Sequence, residues 1–249
     1  RGVLLERARS IRVLDPACGS GAFLVHVLET LADMRGMLGD SRPVSLRRRE
    51  VLVRQIVGVD MNPVAVWLCQ LRLWLSVAVE DQSTDPSKVL PLPNLDRHIL
   101  VGDALDSDMA PPGVRRSASV DDRGLERTRE RYARATGVRK RTLGGVLTRA
   151  ERARADRLLG DALELVAHSR RELIVMLRSR DLFGERAEGS RQARARLDLL
   201  KELTRELRAR RRRLRDGGAL PFSFDVHCGG NAGFDVVLGN PPWVRVHEI

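Results

Sequence analysis

Lysine is almost missing from this 249-residue chain: Lys88, Lys140 and Lys201 stand against 41 arginines. Such a skew, with abundant Ala, Leu, Val and Gly, is what GC-rich coding produces, so arginine by itself is a weak sign of any partner. Long apolar runs are also missing, which excludes a membrane-spanning helix, and no signal peptide opens the chain. The three cysteines, Cys18, Cys69 and Cys228, are odd in number and far apart. They exclude a disulfide framework and fit a reducing, cytoplasmic setting. The five histidines are scattered, with no Cys/His pairing at zinc spacing, so no metal site is expected. The start at Arg1 and the stop six residues after Trp243 read as a piece of something longer.

What is present is unevenly distributed. The net charge is +11, and residues 106–220 carry 30 basic and 18 acidic side chains, which is the whole surplus. Excess positive charge suits a polyanionic partner without specifying one. Outside that segment the pattern alternates. Short apolar strands are predicted at Ile11–Leu14, Gln55–Val59, His98–Val101 and Phe234–Leu238, with helices over Ala22–Arg35 and Val64–Ala78, Pro63 filling a first helical turn. This is the pattern of an α/β fold: a parallel sheet with helices on both faces. Inside the basic segment, Leu159, Val166 and Leu173 and then Leu200, Leu203, Leu207 and Leu214 form two apolar stripes. They predict an antiparallel helical hairpin turning near Arg180–Gly184, preceded by a shorter helix around Leu125–Ala135. The expected organisation is a sheet portion over 1–108, a basic helical insertion over 109–218, and a last strand with its motif over 219–249.

In such sheets ligands sit beyond the carboxyl ends of the strands. The predicted strands end at Asp15, Asp60, Asp103 and Asn240. The first end opens into Asp15-Pro16-Ala17-Cys18-Gly19-Ser20-Gly21-Ala22-Phe23, a strand-to-helix turn with two glycines. Leu24 occupies the third-glycine position of a dinucleotide fingerprint and no Gly-Lys-Ser/Thr follows, so a phosphate-binding loop is excluded. A ligand carrying positive charge tolerates Asp15, and S-adenosylmethionine has that character, its carboxylate suiting the N–H groups at the helix start. Asp60 is placed to accept from both ribose hydroxyls with Met61 against the adenine face, and Asp103 to accept from the adenine amine. Taken singly, each Asp also suits a helix cap or a turn.

Asn240-Pro241-Pro242-Trp243 follows the fourth strand. An amine on an aromatic ring is a poor nucleophile, because its lone pair is delocalised. An Asn oxygen and a backbone carbonyl accepting its two N–H bonds free that lone pair, and consecutive prolines hold the carbonyls rigidly. Trp243 offers a face on which an extruded base stacks.

Asp-Pro-Ala-Cys-Gly-Ser-Gly-Ala-Phe, Gly-Val-Asp-Met-Asn-Pro, Gly-Asp-Ala-Leu and Asn-Pro-Pro-Trp, in that order, resemble the motifs of N6-adenine DNA methyltransferases. The resemblance is closest to the Eco57I-like restriction-modification group, which includes phage-defence methylases. Pro91-Leu92-Pro93-Asn94-Leu95 and Pro221-Phe222-Ser223-Phe224-Asp225 fit its linkers. It implies a Rossmann-like S-adenosylmethionine-dependent methyltransferase sheet, incomplete here, with an α-helical hairpin insertion. Asp15, Ala17, Gly19, Gly21 and Phe23 would line the methionine end of the cofactor, Asp60 and Met61 the ribose and adenine, and Asp103 with Ala104 the adenine edge. Asn240, Pro241, Pro242 and Trp243 would hold a flipped adenine of double-stranded DNA. The remainder of a parent polypeptide and other defence-system subunits are the further partners implied, and this fragment alone is expected to be inactive. The family's cofactor motif upstream of the first strand, its later strands and its target-recognition region are absent, and no nuclease motif is seen.

Other readings share these residues. Methylases of RNA guanine and of protein glutamine also use Asn-Pro-Pro-aromatic, and a non-catalytic basic module binding DNA or protein could occupy such a sheet. Cys18 lies in the cofactor turn, away from the prolines, and reads as packing rather than a nucleophile. Arg208, Arg210, Arg211, Arg212, Arg213 and Arg215 crowd the end of the last helix of the insertion, as a solvated face or as contacts to DNA phosphates.

Overall fold

The computed structural model describes residues 1–83, 85, 89–105, 121–178, 190–228 and 233–240. The described residues cluster into two compact units, one of 1–105, 121–149, 221–228 and 233–240 and the other of 150–178 and 190–220.

The first unit is built on four parallel strands: β1 (Val13–Asp15), β2 (Ile56–Asp60), β3 (Ile99–Val101) and β4 (Val236–Val237), in the order β3-β2-β1-β4. Each falls where the apolar runs place it. The register pairs Val13 with both Ile56 and Val236, and Asp60 with Val101, so the carboxyl ends of all four described strands lie at the same edge of the sheet. Alternate strand residues face opposite ways. Val13, Ile56 and Ile99 point into a core with Leu24, Leu28 and Leu31 of α2 (Ala22–Met37), Val51 and Leu52 of α3 (Val44–Arg54), and Val66, Cys69, Leu73 and Val77 of α4 (Pro63–Ala78). Truncating a fully buried leucine here would cost about 2–5 kcal/mol.

The opposite face differs from the expected helical layer. Leu14, Val57 and Val59 are covered by Ala104, Phe222, Phe224, Cys228 and Phe234, with only the single turn α8 (Phe224–His227) among them. Arg12 ties this cover down. Its guanidinium donates to the Cys228 and Gly233 carbonyls, its backbone N–H donates to Asp235 Oδ2 at 2.7 Å, and it lies over the Phe234 ring.

Two helices escape the apolar-period reading, α1 (Gly2–Ser10) and α3. The face that α3 buries contains Ser45 and Arg48, and Arg48 reaches the Ser76 carbonyl at 2.7 Å. Nearby, Arg35 is fully buried and donates to Gln55 Oε1 at 3.1 Å, to Asp40 Oδ2 at 3.2 Å and to Glu50. Gln55 passes the network on to the carbonyls of Ala8 and Ile11. The bonds from Arg42 and Arg9 keep the Asp40 carboxyl well below the usual carboxylate range. The helix expected around Leu125–Ala135 is α5 (Asp121–Ala133), and its Tyr132 donates to Asp96 Oδ2 at 2.7 Å.

The second unit contains the later part of α6 (Gly137–Arg178) and α7 (Ser190–Arg215). Leu159, Ala162 and Val166 of α6 and Leu207 and Leu214 of α7 are buried, as the two stripes require. The helices run antiparallel: Arg152 donates to the Leu214 and Gly218 carbonyls, and Asp156 receives paired bonds from both Arg211 and Arg215 at 2.8–3.0 Å. The expected turn near Arg180–Gly184 lies outside the described residues. Part of the arginine cluster is therefore internal: Arg211 and Arg215 are spent on Asp156, and Arg210 bonds Glu206. Among the described residues no helix is long and apolar enough to cross a membrane, and no group of His, Cys, Asp or Glu is arranged to hold a metal ion.

Candidate active site

The turn after β1 is held from three sides. Asp15 is buried and accepts from the Ala17 N–H at 3.1 Å, the Cys18 N–H donates to the Val59 carbonyl at 2.9 Å, and the Gly19 N–H donates to Asp60 Oδ2 at 2.8 Å. Gly21 then caps α2 at φ 84°, a left-handed conformation that glycine adopts without strain. A side chain there would also strike Cys69, whose sulfur lies 2.5 Å from the position a Cβ would take. The Cys18 thiol is pushed up by its bond with Cys69 and by burial, which suits packing and not nucleophilic attack.

Asp60 is the junction of the site. Its Oδ1 accepts from the Asn62 N–H at 2.8 Å while Oδ2 holds Gly19, so one carboxylate ties the ends of β1 and β2 together. A carboxylate oxygen has two lone pairs, so each can still accept from a ligand. Asn62, which sequence reasoning passed over, caps α4 by accepting from the Val64 N–H at 2.9 Å. Its signal was present as an Asn directly before a Pro-opened helix. Burial raises the Asp15 carboxyl above its ordinary range, opposed by the Ala17 N–H and reinforced by the Asp60 charge.

At the end of β3, the Gly102 N–H donates to the Asp60 carbonyl at 3.0 Å, and Asp103 accepts from the Leu105 N–H at 2.8 Å. A Cβ on Gly102 would lie 2.4 Å from Phe222, so the ring rests directly on this backbone. Phe222 stacks on His227 with centroids 5.6 Å apart and meets Phe224 edge-on at 4.9 Å. Its position beside Asp103 was missed, although Pro-Phe-Ser-Phe-Asp ahead of the last strand was visible. Ala104 packs into the same apolar cluster as Phe222.

On the other side of β1, the Leu238 N–H donates to the Leu14 carbonyl at 2.9 Å, and a Cβ on Gly239 would lie 3.2 Å from Asp15 Oδ1. Asn240 follows and is exposed. The ends of β3, β2, β1 and β4 thus set Asp103, Asp60, Asp15 and Asn240 in a staggered row across four adjacent strands, Asp60 two residues beyond the level of Asp15 and Asp103 two residues beyond that of Asp60. Exposed apolar side chains flank the row, Phe23 at 50% and Met61 at 70% of full exposure. Pro241, Pro242 and Trp243 lie outside the described residues.

Residues 2–119 match the family described as the MmeI DNA-methyltransferase domain. A protein of Methanocaldococcus jannaschii named as a type II restriction enzyme and methyltransferase is 30% identical over 107 residues, which is 41% of this chain and 9% of that protein. The adenine-specific methyltransferase PglX of Streptomyces coelicolor is 29% identical over 125 residues, 49% of this chain and 10% of its own length. The chain therefore spans about a tenth of the length of these relatives. No solved structure matches it. Just under half of the chain, with three of the four described strands and the carboxylates at their ends, is thus similar to the MmeI DNA-methyltransferase domain.

Proposed function

We propose that this chain carries the cofactor seat and the base-holding asparagine of an enzyme that methylates the N6 amine of adenine in double-stranded DNA. The observation that carries this reading is the row Asp103, Asp60, Asp15 and Asn240 along adjacent strand ends. S-adenosylmethionine suits the row, since three carboxylates at adjacent strand ends, Asp15 buried among them, favour a ligand with two cationic groups, and Phe23 and Met61 offer apolar surface to its uncharged parts. When bound it would supply a methyl group on a positively charged sulfur.

The chain's own residues would do the rest. Gly19 and Gly21 let the ligand approach the backbone closely. Asp60 accepts from ribose hydroxyls while bracing the turn, and Asp103 accepts from the adenine edge with the Phe222 ring as one wall. Asn240 accepts an N–H of the target amine beside Asp15, which brings the nucleophile to the first strand's end. Trp243 stacks on the extruded base. The adenine named in the PglX relative supports this substrate. A cytoplasmic location and other defence-system subunits as partners belong to the same reading.

Asn240→Ala should abolish adenine methylation and leave S-adenosylmethionine affinity nearly intact by calorimetry. Asp60→Ala should weaken that affinity by about 1.5–3 kcal/mol, the range for hydrogen bonds to a charged group. Adenine methylation at the parental rate by the Asn240→Ala protein would end the proposal.

A further inference from the structure

The two sides of α7 are used differently. Ala193, Thr204, Leu207 and Leu214 are buried on the side from which Arg211 reaches Asp156. Beside that face, Arg191, Arg194, Lys201, Arg205, Arg208 and Arg212 recur at intervals of three, four or seven residues. At about 100° per residue they fall within roughly 100° of arc, and at ~1.5 Å per residue they run for about 32 Å. Asp198 pairs with Lys201 at 2.7 Å and Glu202 lies alongside, so the charge concentrates in two blocks, Arg191/Arg194 and Arg205/Arg208/Arg212. Among the described residues Arg191, Arg194, Arg205 and Arg208 form no ion pair or hydrogen bond. Arg212 has a 3.6 Å contact with Asp216 and remains 86% exposed.

We infer that this stripe is a docking surface for the phosphate backbone of duplex DNA, distinct from the Arg211 and Arg215 clamp. The inference rests on the proposed DNA substrate and adds to it a surface outside the methyltransferase match. Three features select the partner. The stripe is straight and long enough to follow several phosphates, and duplex DNA presents a charge about every 1.7 Å of axis. It consists almost wholly of arginine, whose planar fork grips phosphate oxygens in pairs. It holds no aromatic or aliphatic anchor, which a protein interface would place at its centre. Insertion into a lipid surface needs an apolar face as well, and the apolar face of α7 is buried.

The test compares two charge-matched variants of the protein. One carries Arg191→Gln, Arg194→Gln, Arg205→Gln and Arg208→Gln. The other carries Arg139→Gln, Arg171→Gln, Arg178→Gln and Arg196→Gln, all exposed and off the stripe. Unchanged helical circular dichroism and S-adenosylmethionine affinity establish that both are folded. Binding of a short fluorescent duplex is followed against salt. The slope of log K against log salt should become shallower by about 0.9 for each phosphate no longer neutralised, so ~3–4 for the stripe variant, and stay at the parental value for the control. An unchanged slope in the stripe variant, or an equal change in both, overturns the inference. So does unaltered duplex binding together with lost binding of polyglutamate, which would reassign the stripe to an acidic protein. Failure of the proposed reaction reads differently: a parent that binds duplex with a slope the stripe variant reduces, yet methylates no adenine, keeps the docking surface and loses the chemistry.

Discussion

The two units spend the same residue in opposite ways. In the sheet unit arginine is an internal fastener. Arg35 is fully buried among Asp40, Glu50 and Gln55, Arg48 is bonded to the Ser76 carbonyl, and Arg12 binds the segment that covers the second face of the sheet. In the helical unit Arg211 and Arg215 fasten one side of α7 to Asp156 and Arg152 bonds the carbonyls at its end, while Arg191, Arg194, Arg205 and Arg208 stand in solvent. A count of arginines therefore says little about function. Whether a carboxylate or carbonyl lies within reach decides whether the charge holds the fold or is left for a partner.

The sharpest way to break this contrast is to remove one arginine of each kind. Arg35→Ala removes the fully buried one of the two arginines that Asp40 and Glu50 share, Arg42 being the other, and cutting a buried ionic network in this way costs about 3–5 kcal/mol. Arg194→Ala should change stability by no more than about 0.5 kcal/mol. Denaturant unfolding of both variants, followed by regional hydrogen exchange, is the measurement; comparable losses would dissolve the distinction.

Acid separates the units next. His98 is buried with Nε2 2.8 Å from the Val53 carbonyl, and burial lowers its pKa from 6.5 to about 4. Between those values the unfolded chain binds a proton that the folded one refuses, so stability falls as pH drops from 6.5 towards 4. The full loss is about 3 kcal/mol, at 1.36 kcal/mol per unit. The fluorescence of Trp67 and Trp74, both in the sheet unit, should report the change, and His98→Gln should remove it. The helical unit should not respond in that window. Its titrating clamp is Asp156, which Arg211 and Arg215 hold below the ordinary 3.8, so its contribution is present above 3.8 and is lost only as pH falls further.

The smallest effect concerns that clamp. Asp156 is partly exposed and screened, so Asp156→Asn should cost only about 1 kcal/mol. Exchange of the α6 and α7 amides should rise while that of the β2 and β3 amides stays constant. A global loss would show that the two units unfold as one.

Much of the sheet unit was legible because its signals are local. Each strand is a short apolar run stopping at a polar residue, and Asp15, Asp60 and Asp103 stand at those stops. The double role of Asp60 was not legible, since Gly19 lies 41 positions away and nothing in the spacing announces the bond. Helix α3 hid because a buried arginine and serine occupy its inner face, where an apolar period looks for leucine. In the helical unit the leucine stripes disclosed the pairing of α6 and α7. The end of α7 reads in sequence as uniformly free because its partner Asp156 lies 55 residues earlier.

The pairing of β4 with β1 has a consequence for assembly. Val13 and Leu14 meet Val236 and Val237 only after more than two hundred intervening residues have been made. At a synthesis rate of about 5–20 residues per second, that is a delay of roughly ten to forty-five seconds. The strands and helices around Asp15 and Asp60 can settle within that interval from contacts near in sequence, and β4 must then close the longest loop among the described strand pairings. Asn240 arrives with it. On a ribosome, the carboxylates proposed to hold the cofactor would be in place well before the side chain proposed to hold the target amine.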